Sequence, residues 1–172
     1  MSIHAIDIMI TQIGVQELTG KNDGIPAERY MRGDKLAWCA GISIWSNDES
    51  DDPDVARNTK EYYKMRSVQV FEDVMKHRGV WIGRNIKPRR NDFIFFGNRG
   101  DSDAPGMYSK GRHMGIVEKV NKTHIHTIEG NIGNKVARRK YPIGHARITG
   151  FARVIDLSFE PDTEWEGVPF AI

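Results

Sequence analysis

The first candidate for chemistry in this sequence is its one cysteine, Cys39. It lies in the run Ala37-Trp38-Cys39-Ala40-Gly41, after a polar loop and at the start of a helix predicted over about residues 38–45. The amides and the dipole at the start of a helix stabilise a thiolate, and the same amides can hold an oxyanion. Free cysteines are also among the most buried residues, so simple packing beside Trp38 stays an open alternative.

A histidine and a glutamate form a second candidate feature. Two β-prone runs, 114–119 and 123–128, flank a three-residue loop and predict an antiparallel hairpin. The register that places Val117 opposite Ile125 also places His113 opposite Glu129, with β-carbons ~5 Å apart. A thiol, an imidazole and an acid together suit nucleophilic catalysis. A plain surface pair is the alternative, because a slip of one residue separates the two side chains.

Other ionisable residues give weaker signals. In that register His124 and His126 fall on the face opposite Glu129, and the chain has no second cysteine that would complete a zinc site. A solvated strand face is therefore favoured for both histidines. The basic runs 87–90 and 138–140 are typical of solvated edges, and binding of an anionic wall polymer or a nucleic acid is the minor alternative.

The surrounding pattern predicts how these residues are positioned. Helical spacing and turn residues predict helices over about 3–13, 26–30, 38–45 and from 58 or 59 to 77. Short β-prone runs predict strands over 93–96, 114–120, 123–128, 136–141 and 148–155. Helices followed by strands favour an α+β fold, with N-terminal helices packed on an antiparallel sheet of about five strands. The acidic stretch 46–54 predicts a surface loop.

Length and composition set the outer limits. The 172 residues, 39% of them hydrophobic, fit a single domain, and the net charge of +2 alone does not indicate a nucleic-acid partner. One cysteine excludes an intramolecular disulfide. The first ten residues carry no Lys or Arg, and no apolar run approaches the ~20 residues of a membrane span. We therefore expect synthesis in the cytoplasm without a signal peptide.

Four short motifs follow one another in a recognisable order: Trp38-Cys39-Ala40, Asp92 to Phe96, His113 to Val117, and Ile128 to Asn131. With them the chain resembles CHAP domains, the cysteine, histidine-dependent amidohydrolases and peptidases, over about residues 15–155. The resemblance implies a single papain-like catalytic domain. The tail 156–172 has no clear pattern, and we expect it to be a loosely docked C-terminal extension. The chain departs from the family pattern at Arg89–Asp92, where Pro-Gly-Asp is usual, and in a longer insertion over 46–80.

The resemblance also assigns roles to residues. It implies Cys39 as the nucleophile, His113 as the general base and acid, and Glu129 as the group that orients the imidazole. Asn131 becomes a neighbouring polar contact. Two further residues are assigned to substrate or oxyanion contacts at the edge of the cleft: Asn22 and Trp38.

The activity that follows is hydrolysis of an amide bond in bacterial peptidoglycan, by an N-acetylmuramoyl-L-alanine amidase or an endopeptidase. A phage lysin that reaches the cell wall after release or delivery is the expected source. The alternatives are an inactive wall-binding or structural phage module and a bacterial amidase effector. No cofactor is expected. Calcium is a minor option, because carboxylates occur without a recognisable calcium-loop spacing at Asp23, Asp34 and 48–54.

Overall fold

The computed structural model describes residues 1–55, 66–97 and 112–155. Within these ranges helices precede strands, which confirms the α+β fold class. The helices are α1 Ala5–Thr11, α2 Ile25–Tyr30, α3 Cys39–Asp48 and α4 Val68–His77. The strands are β1 Phe93–Phe96, β2 His113–Val120, β3 His124–Ile132, β4 Lys135–Pro142 and β5 Ile148–Ala152. The expected extension over 156–172 lies outside the described residues.

One antiparallel sheet organises the domain, with its strands in the order β4-β3-β2-β1-β5. Alternate side chains of these strands point to opposite faces, so the sheet carries two apolar clusters. The larger cluster joins the sheet to the helices and contains Cys39, Ile42, Met114 and Ile128. The smaller cluster, on the other face, includes Ile94, Phe96, Val117 and Phe151. Helices α1 and α3 contact β2 and β3, so α3 lies over the centre of the sheet.

The acidic stretch 46–54 is only partly the exposed loop that its composition predicts. Asp52 is buried, and its carboxylate contacts His4 Nδ1 at 2.6 Å and accepts the amide of Ala5 at 2.9 Å. The same carboxylate accepts the side-chain amide of Asn91 at 2.8 Å. A buried carboxylate is tolerated when its lone pairs are filled in this way. Asp52 therefore anchors the start of α1.

Several element boundaries differ from the predicted ones; α3, for example, ends at Asp48 and not near residue 45. Helix α4 begins at Val68, because Ser67 has the extended conformation of a residue that precedes a helix (φ −80°, ψ 125°). The predicted helix therefore does not run unbroken to His77, and its predicted start at 58 or 59 lies outside the described residues. Strand β3 continues to Ile132, beyond the predicted end at 128. Glu129 and Asn131 are thus strand residues rather than loop residues.

Within the three described ranges, no helix has both the length and the apolar character needed to cross a membrane.

Candidate active site

Cys39 occupies the first position of α3, as the sequence predicts. Cys39 is 8% exposed, so its thiol lies just below the surface and not in a closed core. Trp38 precedes it as the N-cap residue, and among the described residues no side chain caps the helix start. The first amides of a helix have no partner inside the helix. The thiol is therefore next to backbone amides of α3 that no side chain caps.

His113 opens β2 and binds a buried carboxylate. Its Nε2 is 2.8 Å from Oε2 of Glu129, and the glutamate side chain is completely buried. A carboxylate only accepts hydrogen bonds, so Nε2 is the nitrogen that carries the proton in this contact. Two hydroxyls also donate to Glu129: Tyr141 to Oε2 at 3.1 Å and Thr127 to Oε1. Three donors thus fix the carboxylate that orients the imidazole.

The register that brings these residues together is not the predicted one. Ile116 pairs with Ile128 and Val117 with Thr127, two residues away from the expected pairing of Val117 with Ile125. The ladder shifts again between Val117 and Lys119, where a bulge interrupts β2. A shift of two residues keeps every side chain on its face, so His113 and Glu129 become diagonal neighbours.

Gly115 makes this diagonal contact sterically possible. A β-carbon placed on Gly115 would lie 2.5 Å from Cγ of Glu129 and 2.7 Å from the carbonyl oxygen of Ile128. Real β-carbons do not approach other atoms so closely. The missing side chain at Gly115 therefore leaves the space through which the glutamate reaches His113.

The thiol of Cys39 and the imidazole of His113 are close enough to influence each other's proton. A hydrogen bond with Cys39, followed by the hydrogen bond and charge of Glu129, is among the causes that raise the pKa of His113. Burial alone would lower the pKa of His113, but the hydrogen bonds and the charges of Cys39 and Glu129 outweigh it and raise the pKa from 6.5 to about 9. The histidine therefore favours the imidazolium form at neutral pH.

Two asparagines lie together next to this arrangement. Nδ2 of Asn131 donates to Oδ1 of Asn22 at 3.3 Å. Both residues have a left-handed backbone, with φ of 59° and 56° respectively, a conformation that Asn adopts more readily than most residues. The structure thus brings together two of the residues that the sequence assigned to the site, although they are 109 positions apart.

Trp38 is placed differently from the substrate contact assigned to it. The residue is completely buried, and its ring packs 5.5 Å from that of Tyr30. Its indole Nε1 donates to Oε1 of Glu17 at 2.6 Å. A side chain with no exposed surface cannot form the wall of an open cleft. The ring therefore supports the start of α3 from below.

Three polar residues that the sequence did not single out are part of the arrangement: Glu17, Thr127 and Tyr141. Thr127 precedes Glu129 by two positions, so strand alternation alone places both on one face. Tyr141 comes from β4, and only the pairing of β3 with β4 brings its hydroxyl to Glu129. Glu17 lies 21 residues before Trp38 and has no periodic signal that links the two.

An open cleft of about 540 Å³ lies on one side of Glu17. Leu18 and Ile25 line it and are each 78% exposed, and Asp23, Glu28 and Lys35 contribute charged groups. None of the three residues assigned to catalysis, Cys39, His113 and Glu129, lines this cleft.

The remaining histidines and carboxylates have structural contacts. His126 is buried, 6% exposed, and not on a solvated strand face as predicted, and its Nε2 contacts Nδ2 of Asn121 at 3.1 Å. Burial lowers its pKa. Asp23 accepts the amide and hydroxyl of Thr19, and Asp34 pairs with Arg66. In the described part of the chain, no group of three or more His, Cys, Asp or Glu residues is arranged to hold a metal ion.

Comparisons with models of protein families, with curated proteins and with solved structures gave no match to this chain.

Proposed function

We propose that this chain is a cysteine hydrolase that cleaves an amide bond of bacterial peptidoglycan, with Cys39 as nucleophile. The observation that carries the proposal is the position of His113, whose Nε2 binds the buried carboxylate of Glu129 at 2.8 Å and whose pKa is raised by hydrogen bonding with Cys39. A nucleophile, a base and an acid that orients the base form the minimal arrangement for acyl transfer.

The reaction begins with the thiol and the imidazole. Nε2 of His113 is bound to Glu129, so Nδ1 is the nitrogen that holds the proton given up by Sγ of Cys39, and the raised pKa of His113 favours this thiolate–imidazolium pair. The thiolate attacks the carbonyl carbon of the amide, and the carbonyl oxygen becomes an oxyanion. The amides at the start of α3, which no described side chain caps, can donate to that oxyanion.

Collapse of the tetrahedral intermediate breaks the C–N bond. The imidazolium of His113 protonates the departing amine, and an acyl-thioester remains on Cys39. A water molecule then loses a proton to the same imidazole, attacks the thioester and releases the acid product and the thiol. Because the pKa of His113 is about 9, the imidazolium that the first half-reaction needs is well populated at neutral pH.

Glu129 keeps the histidine in the required tautomer throughout both half-reactions. Its carboxylate is buried and accepts from His113, Tyr141 and Thr127. A group with three donors around it has little freedom to rotate away from the imidazole. The buried charge also stabilises the imidazolium electrostatically.

Peptidoglycan as the substrate rests on the resemblance to CHAP domains, as do the papain-like arrangement and the source in a phage lysin. The basic runs support nucleic-acid binding less well, because one arginine of each run pairs within the domain. Arg90 binds Asp7 at 2.5 Å, and Arg138 binds Glu118 in a bidentate pair.

Purified peptidoglycan and defined muropeptides test the proposal. We expect the wild-type protein to release fragments that mass spectrometry identifies by a new amine and a new carboxylic acid, and we expect Cys39→Ala and His113→Asn to release none. His126→Asn is the matched control, because it removes a buried histidine from the same sheet and leaves the reacting groups intact.

Two results would contradict the proposal. Equal clearing by the wild type and Cys39→Ala would exclude the thiol as nucleophile. Binding to the wall material without any released fragment would favour the alternative of an inactive wall-binding module.

A further inference from the structure

The carboxylate of Glu17 joins two segments next to Cys39. The residue is only 7% exposed. Its Oε1 accepts the indole proton of Trp38 at 2.6 Å, and its Oε2 accepts the backbone amide of Asn22 at 2.9 Å. A buried carboxylate that uses each oxygen for a different segment holds the two segments in a fixed relation.

The backbone of Glu17 is itself fixed to the sheet. Its amide donates to the carbonyl of Asn134 at 2.9 Å, and Gln16 forms an isolated bridge with Lys135 at the start of β4. Next to this bridge, the amide of Val136 donates to the carbonyl of Val15 at 2.8 Å. The glutamate is therefore a rigid link between β4 and the indole, and not a side chain on a free loop.

Trp38 connects the fixed side chain of Glu17 to the nucleophile, Cys39. It is the residue directly before Cys39, and its carbonyl accepts the first helical hydrogen bond of α3, from Ile42 at 3.0 Å. On the other side the ring lies against Gly130, where a β-carbon would come within 2.9 Å of it. With no capping side chain at the helix start among the described residues, the ring is a principal anchor of that turn.

We propose that Glu17 is a positioning residue for the hydrolase site: through the Trp38 indole it sets the thiol of Cys39 relative to His113. Through the amide of Asn22 it also holds the Asn22–Asn131 pair at the edge of the site. This role rests on the proposed function, but the distance and reactivity of the thiol can be tested without it.

Two substitutions disrupt the hydrogen bond between Glu17 and Trp38 with little change in side-chain volume. In Glu17→Gln one acceptor oxygen becomes an NH₂ donor, so one of the two N–H groups loses its acceptor and faces another donor. In Trp38→Phe the indole N–H disappears while an aromatic ring stays in the core. If Glu17 acts through the indole, the double variant loses no more thiol reactivity than the stronger single variant.

Alkylation of Cys39 by iodoacetamide provides the test, because the chain has no other thiol. The thiolate sulfur displaces iodide, and intact-mass spectrometry follows one carboxamidomethyl adduct against time at pH 6–9. We expect Glu17→Gln to lower the rate constant at pH 7 by about tenfold and to change its pH profile, since small displacements of reacting groups have effects of this order. The Trp38 indole proton, observed by NMR, should move upfield when its carboxylate acceptor is lost.

The matched control is Glu118→Gln. Glu118 is equally buried, at 7% exposure, and it pairs with Arg138 instead of contacting residues of the site. We expect this variant to lose thermal stability as Glu17→Gln does, with a rate constant within about twofold of the wild type. On muropeptides, Glu17→Gln should reduce kcat by roughly 10- to 100-fold and leave KM nearly unchanged.

Three outcomes would overturn the positioning role: an unchanged alkylation profile in Glu17→Gln despite a shifted indole signal, an equal loss in Glu118→Gln, or losses in Glu17→Gln and Trp38→Phe that multiply in the double variant. A wild-type protein that hydrolyses no muropeptide would instead contradict the proposed function, and the alkylation series would still decide the role of Glu17.

Discussion

Nε2 of His113 is hydrogen-bonded to Oε2 of Glu129 at 2.8 Å, although the two residues are not opposite each other in the sheet. The pairing of Ile116 with Ile128 places Gly115 opposite Glu129. Because Gly115 has no side chain, the Glu129 side chain can pass over it and reach His113, the first residue of β2. The interaction therefore depends on a residue that contributes no side chain.

Gly115→Ala is expected to separate the two partners. The new methyl group would overlap Cγ of Glu129 and the carbonyl of Ile128, so the carboxylate must move away from His113. We expect a destabilisation of about 1–3 kcal/mol and a loss of kcat of at least ~10-fold. Urea denaturation and muropeptide hydrolysis measure the two effects.

Gly150→Ala is the control for Gly115→Ala, because its methyl group would meet the Trp81 ring away from the site. It should destabilise the protein to a similar degree and leave the activity of the folded fraction unchanged. An equal loss of activity in both variants would show that overpacking, and not the path of Glu129, limits the reaction.

Glu129→Gln is expected to keep the shape of the site and remove its charge. The neutral amide no longer stabilises the imidazolium. Its NH₂ group also faces a donor that now binds the carboxylate, which is the N–H of His113 or the O–H of Tyr141 or Thr127. We expect kcat to fall by roughly 10³-fold, as for other acids that orient a catalytic histidine. An NMR titration of His113 should show its pKa falling from about 9 toward the ordinary value. An unchanged titration would exclude the glutamate as the cause of the shift.

The stability that His113 contributes should depend on pH in a defined direction. Its pKa rises from 6.5 to about 9 on folding, so the folded protein holds a proton that the unfolded chain releases between these values. The contribution is therefore complete below pH 6.5 and is lost as pH rises to about 9. We expect the difference in unfolding free energy between wild type and His113→Asn to shrink over this window in urea titrations. A constant difference from pH 6 to 9 would contradict the prediction.

Asp48→Asn should stabilise the protein at neutral pH. Burial, followed by the charge of Asp54, raises the pKa of Asp48 from 3.8 to about 7, against the opposing effect of Arg32. For an acid with a raised pKa, the cost of ionisation appears as pH rises from 3.8 and is complete above 7. We expect a gain of about 1–3 kcal/mol at pH 8 that disappears below pH 4, measured by thermal denaturation.

Asp34→Asn is the control for Asp48→Asn. Asp34 is an acidic residue that pairs with Arg66 and is 47% exposed at its side chain. It should show no such gain at pH 8. A gain in both variants would indicate a general effect of net charge instead of local burial.

Local sequence signals were sufficient for part of this arrangement. The change from loop to helix at Cys39 and the alternating strands around His113 and Glu129 follow from short-range pattern, and both are present in the structure. The exact partner positions were not predictable in the same way. The side chain of Asn121 accepts from Thr123 and His124, which tightens the turn, and the bulge beyond Val117 then alters the register.

Contacts between distant parts of the chain account for the remaining differences. The burial of Asp52 depends on His4 and Asn91, from α1 and the segment before β1, and no local pattern in the acidic stretch indicates such partners. The bond between Glu17 and Trp38 likewise appears only when the segment before α2 pairs with β4. Composition predicted exposure for the stretch that contains Asp52 and indicated nothing for Glu17, whereas tertiary hydrogen bonds make the burial of both carboxylates favourable.

The two reacting groups belong to different layers of the domain: the thiol comes from a helix and the imidazole from a strand 74 positions later in the chain. A ribosome completes α3 well before it has made β2 and β3. During that interval the proposed nucleophile has neither its base nor the acid behind it, and the nascent chain lacks the arrangement proposed for acyl transfer. On the proposed function, hydrolytic competence therefore arises only when the sheet packs against the helices and the domain is complete.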